Sequence, residues 1–150
     1  MAVRFAPGSI LRLSTSENNT AYAIMLESRP YMAIYRDDDI KAADHEILGE
    51  PIFIVAVHKS AYSRGGWGDV ISRVSLQSLP PIPPVFRQDV LNPVDCVIDY
   101  SDGSHKRAKP ADCVGLEPNA VWEADHIESR VDDFYAGRPN EYVESMKVKL

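Results

Sequence analysis

The chain has 150 residues, enough for one sizeable hydrophobic core and suited to a single domain spanning 1–150. Its 22 acidic side chains against 16 lysines and arginines leave a net charge of −6. That is the wrong sign for nonspecific attraction to nucleic-acid phosphates, and it favours solubility and a cationic partner. No apolar run reaches transmembrane length and the first residues carry no signal-peptide pattern, so the expected place of work is the cytosol. There Cys96 and Cys113 would stay free thiols.

The first two thirds predict strands. Residues 9–13 form a short one, and the polar run from Ser14 to Asn19 is a turn. The apolar runs Tyr22–Leu26 and Tyr31–Tyr35, separated by Arg29 and Pro30, predict a hairpin. A short helix is expected next. Asp39 would cap it, Ile40, Ala43, Ile47 and Leu48 would share one face, and Gly49 with Pro51 would stop it. The continuously apolar run from Ile52 to Val57 is expected to be a central strand covered on both faces.

Residues 63–68 must bend sharply, and glycines beside Trp67 are expected to let backbone pass close to its ring. Residues 70–76 predict another strand, and the prolines from Pro80 to Pro84 an ordered extended connection. Alternation from Val94 to Tyr100 puts Cys96, Ile98 and Tyr100 on one face, and Asp102 with Gly103 predicts a hairpin turn. The main helix is expected over about 124–136, burying Ile127, Val131 and Phe134, with Gly137 as its cap and Trp122 packed beneath it. Alternation over 141–150 predicts a final strand. The expected class is α+β: a strongly bent, mainly antiparallel, barrel-like sheet, a C-terminal helix packed on it, and that last strand.

Few residues are arranged for catalysis. His45, His58, His105 and His126 are scattered, and no paired Cys-x-x-Cys or His-Glu-x-x-His spacing exists for a metal. Glu123 and His126 match one half of a carboxylate-bridged motif that needs two halves. Cys96 on an apolar strand is expected to be inert, and Cys113, beside Asp112 near a turn, to be more exposed. The glycines around Trp67 lack the Lys-Ser or Lys-Thr that completes a phosphate loop. No catalytic residue, metal or cofactor is expected. What remains is charge: the triplet Asp37, Asp38, Asp39, and Asp132 with Asp133 beside Asp125 and Glu128 on the outer face of the main helix. Asp37, Asp38, Asp132 and Asp133 are the candidate contacts for a basic protein.

The order of residues resembles the Immunity protein 26 family of bacterial polymorphic toxin systems. The resemblance begins with FAPGSI at 5–10 and AYAIM at 21–25. It continues with PIFIVAV at 51–57, Gly66 and Trp67, and FRQD at 86–89. It is densest from Cys113 to Arg130 and from Tyr135 to Asn140. Ala124, where proline would open the helix, and the long turn at 14–19 depart from the pattern. The resemblance implies a non-catalytic protein that binds a cognate toxin domain in the producing cell and blocks it. The acidic balance favours a basic, nuclease-like toxin, and neither nucleic acid nor membrane is an expected partner. Two other functions compete. One is a small barrel-like module for nucleic acid or peptide, whose basic cluster would be His105 to Lys109. The other is an enzyme using Cys113 or Glu123 with His126.

Overall fold

The computed structural model describes residues 3–63 and 66–150. Its N-terminal part is a three-stranded meander: β1 (Ser9–Ser14), β2 (Thr20–Met25) and β3 (Tyr31–Arg36), paired antiparallel with Ile10 opposite Ile24 and Ile24 opposite Ala33. The polar turn after β1 closes on itself. Thr15 N–H donates to the Asn19 carbonyl, Asn19 N–H donates to Thr15 Oγ1, and Asn18 takes a φ of 63°. Asparagine tolerates that left-handed conformation better than most residues. The hairpin at Arg29 and Pro30 is present as expected.

The expected helix after Asp39 is absent. Asp37–Asp39 form one 3₁₀ turn, and β4 (Ile40–Lys41) and β5 (Glu46–Ile47) then pair as a small hairpin. Ile40 lies opposite Ile47 across that hairpin. A separation of seven residues satisfies two helical turns and a tight hairpin equally well, so periodicity could not choose. Asp39 serves through its carbonyl, which accepts from Leu48 N–H. Gly49 is no left-handed cap. A Cβ there would sit 2.6 Å from the Asp39 carboxylate, which packs against this glycine and would have to turn aside for any larger residue.

β6 (Phe53–Val57) pairs with β3, and both its faces are covered as expected. Phe53, Val55 and Val57 join one core cluster while Ile54 packs against another. After the short α1 (Ser60–Ser63), the glycine loop includes Arg64 and Gly65, which lie outside the described residues. Gly66 packs closely on backbone, since a Cβ on it would lie 2.9 Å from the Ala61 carbonyl oxygen. Only β7 (Ser72–Arg73) of the expected strand at 70–76 pairs, with β1. The proline run carries the chain without regular structure to β8 (Val85–Gln88). β8, β9 (Cys96–Asp99) and β10 (His105–Ala108) form a second antiparallel meander. Gly103, at φ 90°, makes its second turn.

β11 (Glu117–Pro118) then lies parallel to β8, and β12 (Val121–Trp122) parallel to β6. The chain thus steps from the second sheet to the first. The result is a six-stranded sheet ordered β12-β6-β3-β2-β1-β7, a four-stranded sheet ordered β10-β9-β8-β11, and the two-stranded β4-β5. Among the described residues these sheets do not close into a barrel, which corrects the expected single barrel-like sheet; the α+β class and the mainly antiparallel pairing stand.

α2 (Ala124–Ala136) packs on the large sheet, burying Ile127 and Val131 beside Leu11, Leu13, Met32 and Val55. Phe134 does not follow them. It is 46% exposed, because the buried stripe continues from Val131 to Tyr135, four residues on, instead of three. Gly137 ends the helix at φ 70°, and Arg138 N–H returns to the Asp133 carbonyl. The expected final strand is instead α3 (Glu141–Ser145) followed by an irregular tail. Asn140 decides this. Its side-chain oxygen accepts from Tyr142 and Val143 N–H, capping a new helix, while its Nδ2 donates to Ser129 Oγ and Asp133 Oδ2.

Candidate functional site

Three separate segments bring carboxylates to one face. The turn between β1 and β2 supplies Glu17, the 3₁₀ turn after β3 supplies Asp37 and Asp38, and α2 supplies Asp125, Glu128, Asp132 and Asp133. Those of the first turn and of α2 line a depression of about 230 Å³. Asp37 joins them through Tyr135. Its N–H donates to the Tyr135 hydroxyl at 3.1 Å, and that hydroxyl donates to the Thr20 carbonyl at 2.8 Å. Burial is the main cause that raises the Tyr135 phenol above its ordinary pKa. Arg138 bridges Glu17 at 2.8 Å and Asp133 at 3.0 Å, locking the turn to the end of α2.

The four candidate contacts divide. Asp37 and Asp38 are exposed, and Asp38 lies 3.4 Å from the exposed Arg36 guanidinium. Asp132 is only 4% exposed and accepts from Asn19 Nδ2 at 2.8 Å, so an approaching protein cannot use it. One residue past Val131 it is about 100° around the helix from the core stripe, and there the β1–β2 turn covers it. Asp133 is half-buried between Arg138 and Asn140, where it holds the cap of α3. Both are corrections to the expected solvated helix face.

Phe134 takes the place that these two vacate. Its ring meets Tyr135 edge-on at 6.2 Å between centroids, and the Arg36 guanidinium lies 5.9 Å from the Phe134 centroid and 5.5 Å from that of Tyr135. An exposed aromatic with an arginine laid across it is the composition that protein interfaces concentrate at their centres, and acidic neighbours suit the polar rim around such a centre. Helical spacing from Ile127 and Val131 suits Phe134 for the core, but it suits Tyr135 better, and that is the signal in the sequence that Phe134 is free to face outward.

Other chemistry-bearing groups are engaged structurally. Cys96 and Cys113 are both buried in the core of the small sheet. The greater exposure expected for Cys113 is wrong, because the 3₁₀ turn at Pro110–Cys113 tucks it inward. Burial, and then the neighbouring Cys96, push its thiol pKa up, opposite to what a nucleophile needs. His126 is half-buried and stacks on Tyr142 at 4.2 Å. Glu123 accepts weakly from Ser60 Oγ at 3.5 Å, and His58 Nδ1 accepts the Ser60 N–H at 3.2 Å. This caps α1. Serine stands between imidazole and carboxylate, whereas an activating triad puts imidazole in the middle. Trp67 is core, donating from Nε1 to Glu128 at 3.1 Å, and Trp122 is core beneath α2. Among the described residues no group of three or more His, Cys, Asp or Glu is placed to hold a metal. No helix among them is long and apolar enough to cross a membrane.

A second surface feature also went unread in the sequence. Val90 and Leu91, in the β8–β9 loop, are 91% and 95% exposed. The loop is nonetheless tied by its own hydrogen bonds. Asp89 Oδ1 accepts from the N–H groups of Leu91 and Asn92, and Asn92 donates to Asp95. Asp89, Asn92 and Pro93 were the legible turn chemistry. Comparison with protein-family models, with curated proteins and with solved structures finds no match for this chain.

Proposed function

We propose that this chain is an immunity protein, one that binds a cognate toxin domain in the cytosol of the producing bacterium and blocks it by occlusion, making and breaking no bonds. The observation that carries the reading is the exposed Phe134–Arg36 pair set among the carboxylates of the β1–β2 turn, the turn after β3, and α2. Carboxylates steer a basic, nuclease-like domain toward this face, and the aromatic supplies area to bury once it arrives. The resemblance to the Immunity protein 26 family supports the same reading. So does the engagement of the cysteines, His58 and His126 in packing and capping.

The experiment is co-purification with the toxin domain encoded by the adjacent gene, with rescue of cells expressing that domain. Wild type is expected to form the complex and protect. Phe134→Ala, and Asp37→Lys with Asp38→Lys, are expected to weaken binding tenfold or more while the protein stays folded. The aspartate variant should also lose the salt dependence of association. Absence of both complex and rescue in wild type overturns the proposal.

One observation favours a second reading, a nucleic-acid module: the edge strand β10 exposes His105, Lys106 and Arg107. Charged edge strands also serve simply to prevent sheet-to-sheet association, and that role needs no ligand. Titration with single-stranded and duplex oligonucleotides at low salt separates the two.

A further inference from the structure

A cavity of about 440 Å³ lies between the two sheets' cores. Cys113, Leu116 and Val148 line it from the small-sheet cluster; Trp122, Val143 and Met146 line it from the large-sheet cluster. Its volume falls within the usual range for small-molecule pockets, and its wall is mostly apolar, as theirs are. One polar feature stands out. Trp122 is 3% exposed, and its Nε1–H has no acceptor among the described residues. Buried indole donors are nearly always satisfied, and Trp67 in the same core finds Glu128. The acidic residue of the cavity wall, Glu117, does not serve Trp122. Its carboxylate oxygens accept from Arg130, at 3.0 and 2.8 Å, and neither accepts from the indole. The Trp122 ring is held in place as well, because the Arg130 guanidinium lies over it at 4.6 Å.

We infer that this cavity is a binding site for a small, mostly apolar molecule carrying one hydrogen-bond acceptor, to which the Trp122 N–H donates. The site does not depend on the immunity reading; it uses neither the acidic face nor Phe134.

Two probes of matched shape test it: benzophenone, which has a carbonyl, and diphenylmethane, which has a methylene in its place. Binding is followed through the two indole N–H resonances of the ¹⁵N-labelled protein. Benzophenone is expected to bind saturably and to shift the Trp122 resonance more than that of Trp67. Diphenylmethane is expected to bind about tenfold more weakly, the ratio that one net hydrogen bond confers. Trp122→Phe should bind both probes equally, and Val143→Trp, which fills the cavity, should bind neither. Failure of wild type to bind either probe overturns the inference. So does equal binding of both with an unmoved Trp122 resonance, which would leave only a packing gap.

Discussion

Replacing Arg130 with methionine tests whether one side chain joins α2 to both sheets. Arg130 projects from α2, pairs through two hydrogen bonds with Glu117 of β11 in the small sheet, and lies over two rings of the large sheet. Those rings are Phe53 of β6 at 3.9 Å and Trp122 of β12 at 4.6 Å. The side chains are 7% and 25% exposed, so the pair is buried mainly at its arginine end. Breaking a buried pair costs about 3–5 kcal/mol because one charge is stranded. Here the stranded group is Glu117, a quarter exposed and partly rehydrated, which places the expected loss near 3 kcal/mol. Methionine keeps aliphatic contact with the rings, so no large cavity adds to it. For a chain of this length that loss lowers Tm by about 10 °C. Glu117→Leu alone should cost more, about 4 kcal/mol, because the stranded charge is then the more deeply buried one. The double variant should recover to within about 1 kcal/mol of wild type, the two effects being strongly non-additive. Urea unfolding followed by tryptophan fluorescence measures all four proteins. A loss below 1 kcal/mol for Arg130→Met, or additive single costs, would refute this account of the junction.

Three further outcomes are expected. Burial chiefly, with Glu50 and Asp39 adding to it, pushes the Tyr35 phenol up to about 12. Its raised folded-state value means that its contribution is complete below pH 10 and is lost as pH rises from 10 toward 12, by roughly 2 kcal/mol. Tyr35→Phe should flatten the alkaline limb of a stability–pH curve, and an unchanged limb would count against the burial argument. At the acid end, Arg87 first and Asn119 next hold Asp99 below its ordinary pKa, so its contribution is present above pH 4 and falls away as the pH drops through the lowered value. Asp99→Asn should reduce the acid dependence slightly, since Arg87 is half exposed and water screens the pair. Finally, a thiol-specific reagent such as Ellman's should modify Cys96 and Cys113 only as fast as the native protein opens; rapid reaction of either would contradict their burial.

Much of this fold is local and therefore legible in order. The runs that became β2, β3 and β6 carry enough β-branched and aromatic side chains to leave no alternative to strand. α2 was readable to within a residue because Ile127 and Val131 repeat at helical spacing and Gly137 can take the left-handed turn that ends it. Two of the misreadings share one cause, a spacing that two geometries satisfy. Ile40 and Ile47 suited a helix face until hairpin pairing claimed them. Residues 142 and 146 suit both a strand and a helix, and the Asn140 cap chose the helix. At the candidate site, Asp37 and Asp38 were visible as charges in a turn. The exposure of Phe134 was legible only through the better helical spacing of Tyr135, and the burial of Asp132 was not legible at all, because it depends on Asn19, more than a hundred residues away.

Sequence alone determined the class, the strand-forming runs, the main helix with its stop signal, and the sign of the surface charge. These follow from side-chain chemistry and near-neighbour spacing. Tertiary structure alone decided that three sheets form where one was expected, that Glu117 and Arg130 meet, that Cys113 is hidden, and that an indole donor is left beside an apolar cavity. Each of those is a contact between segments that no local periodicity links, so it exists only once the chain has chosen which surfaces to bury together.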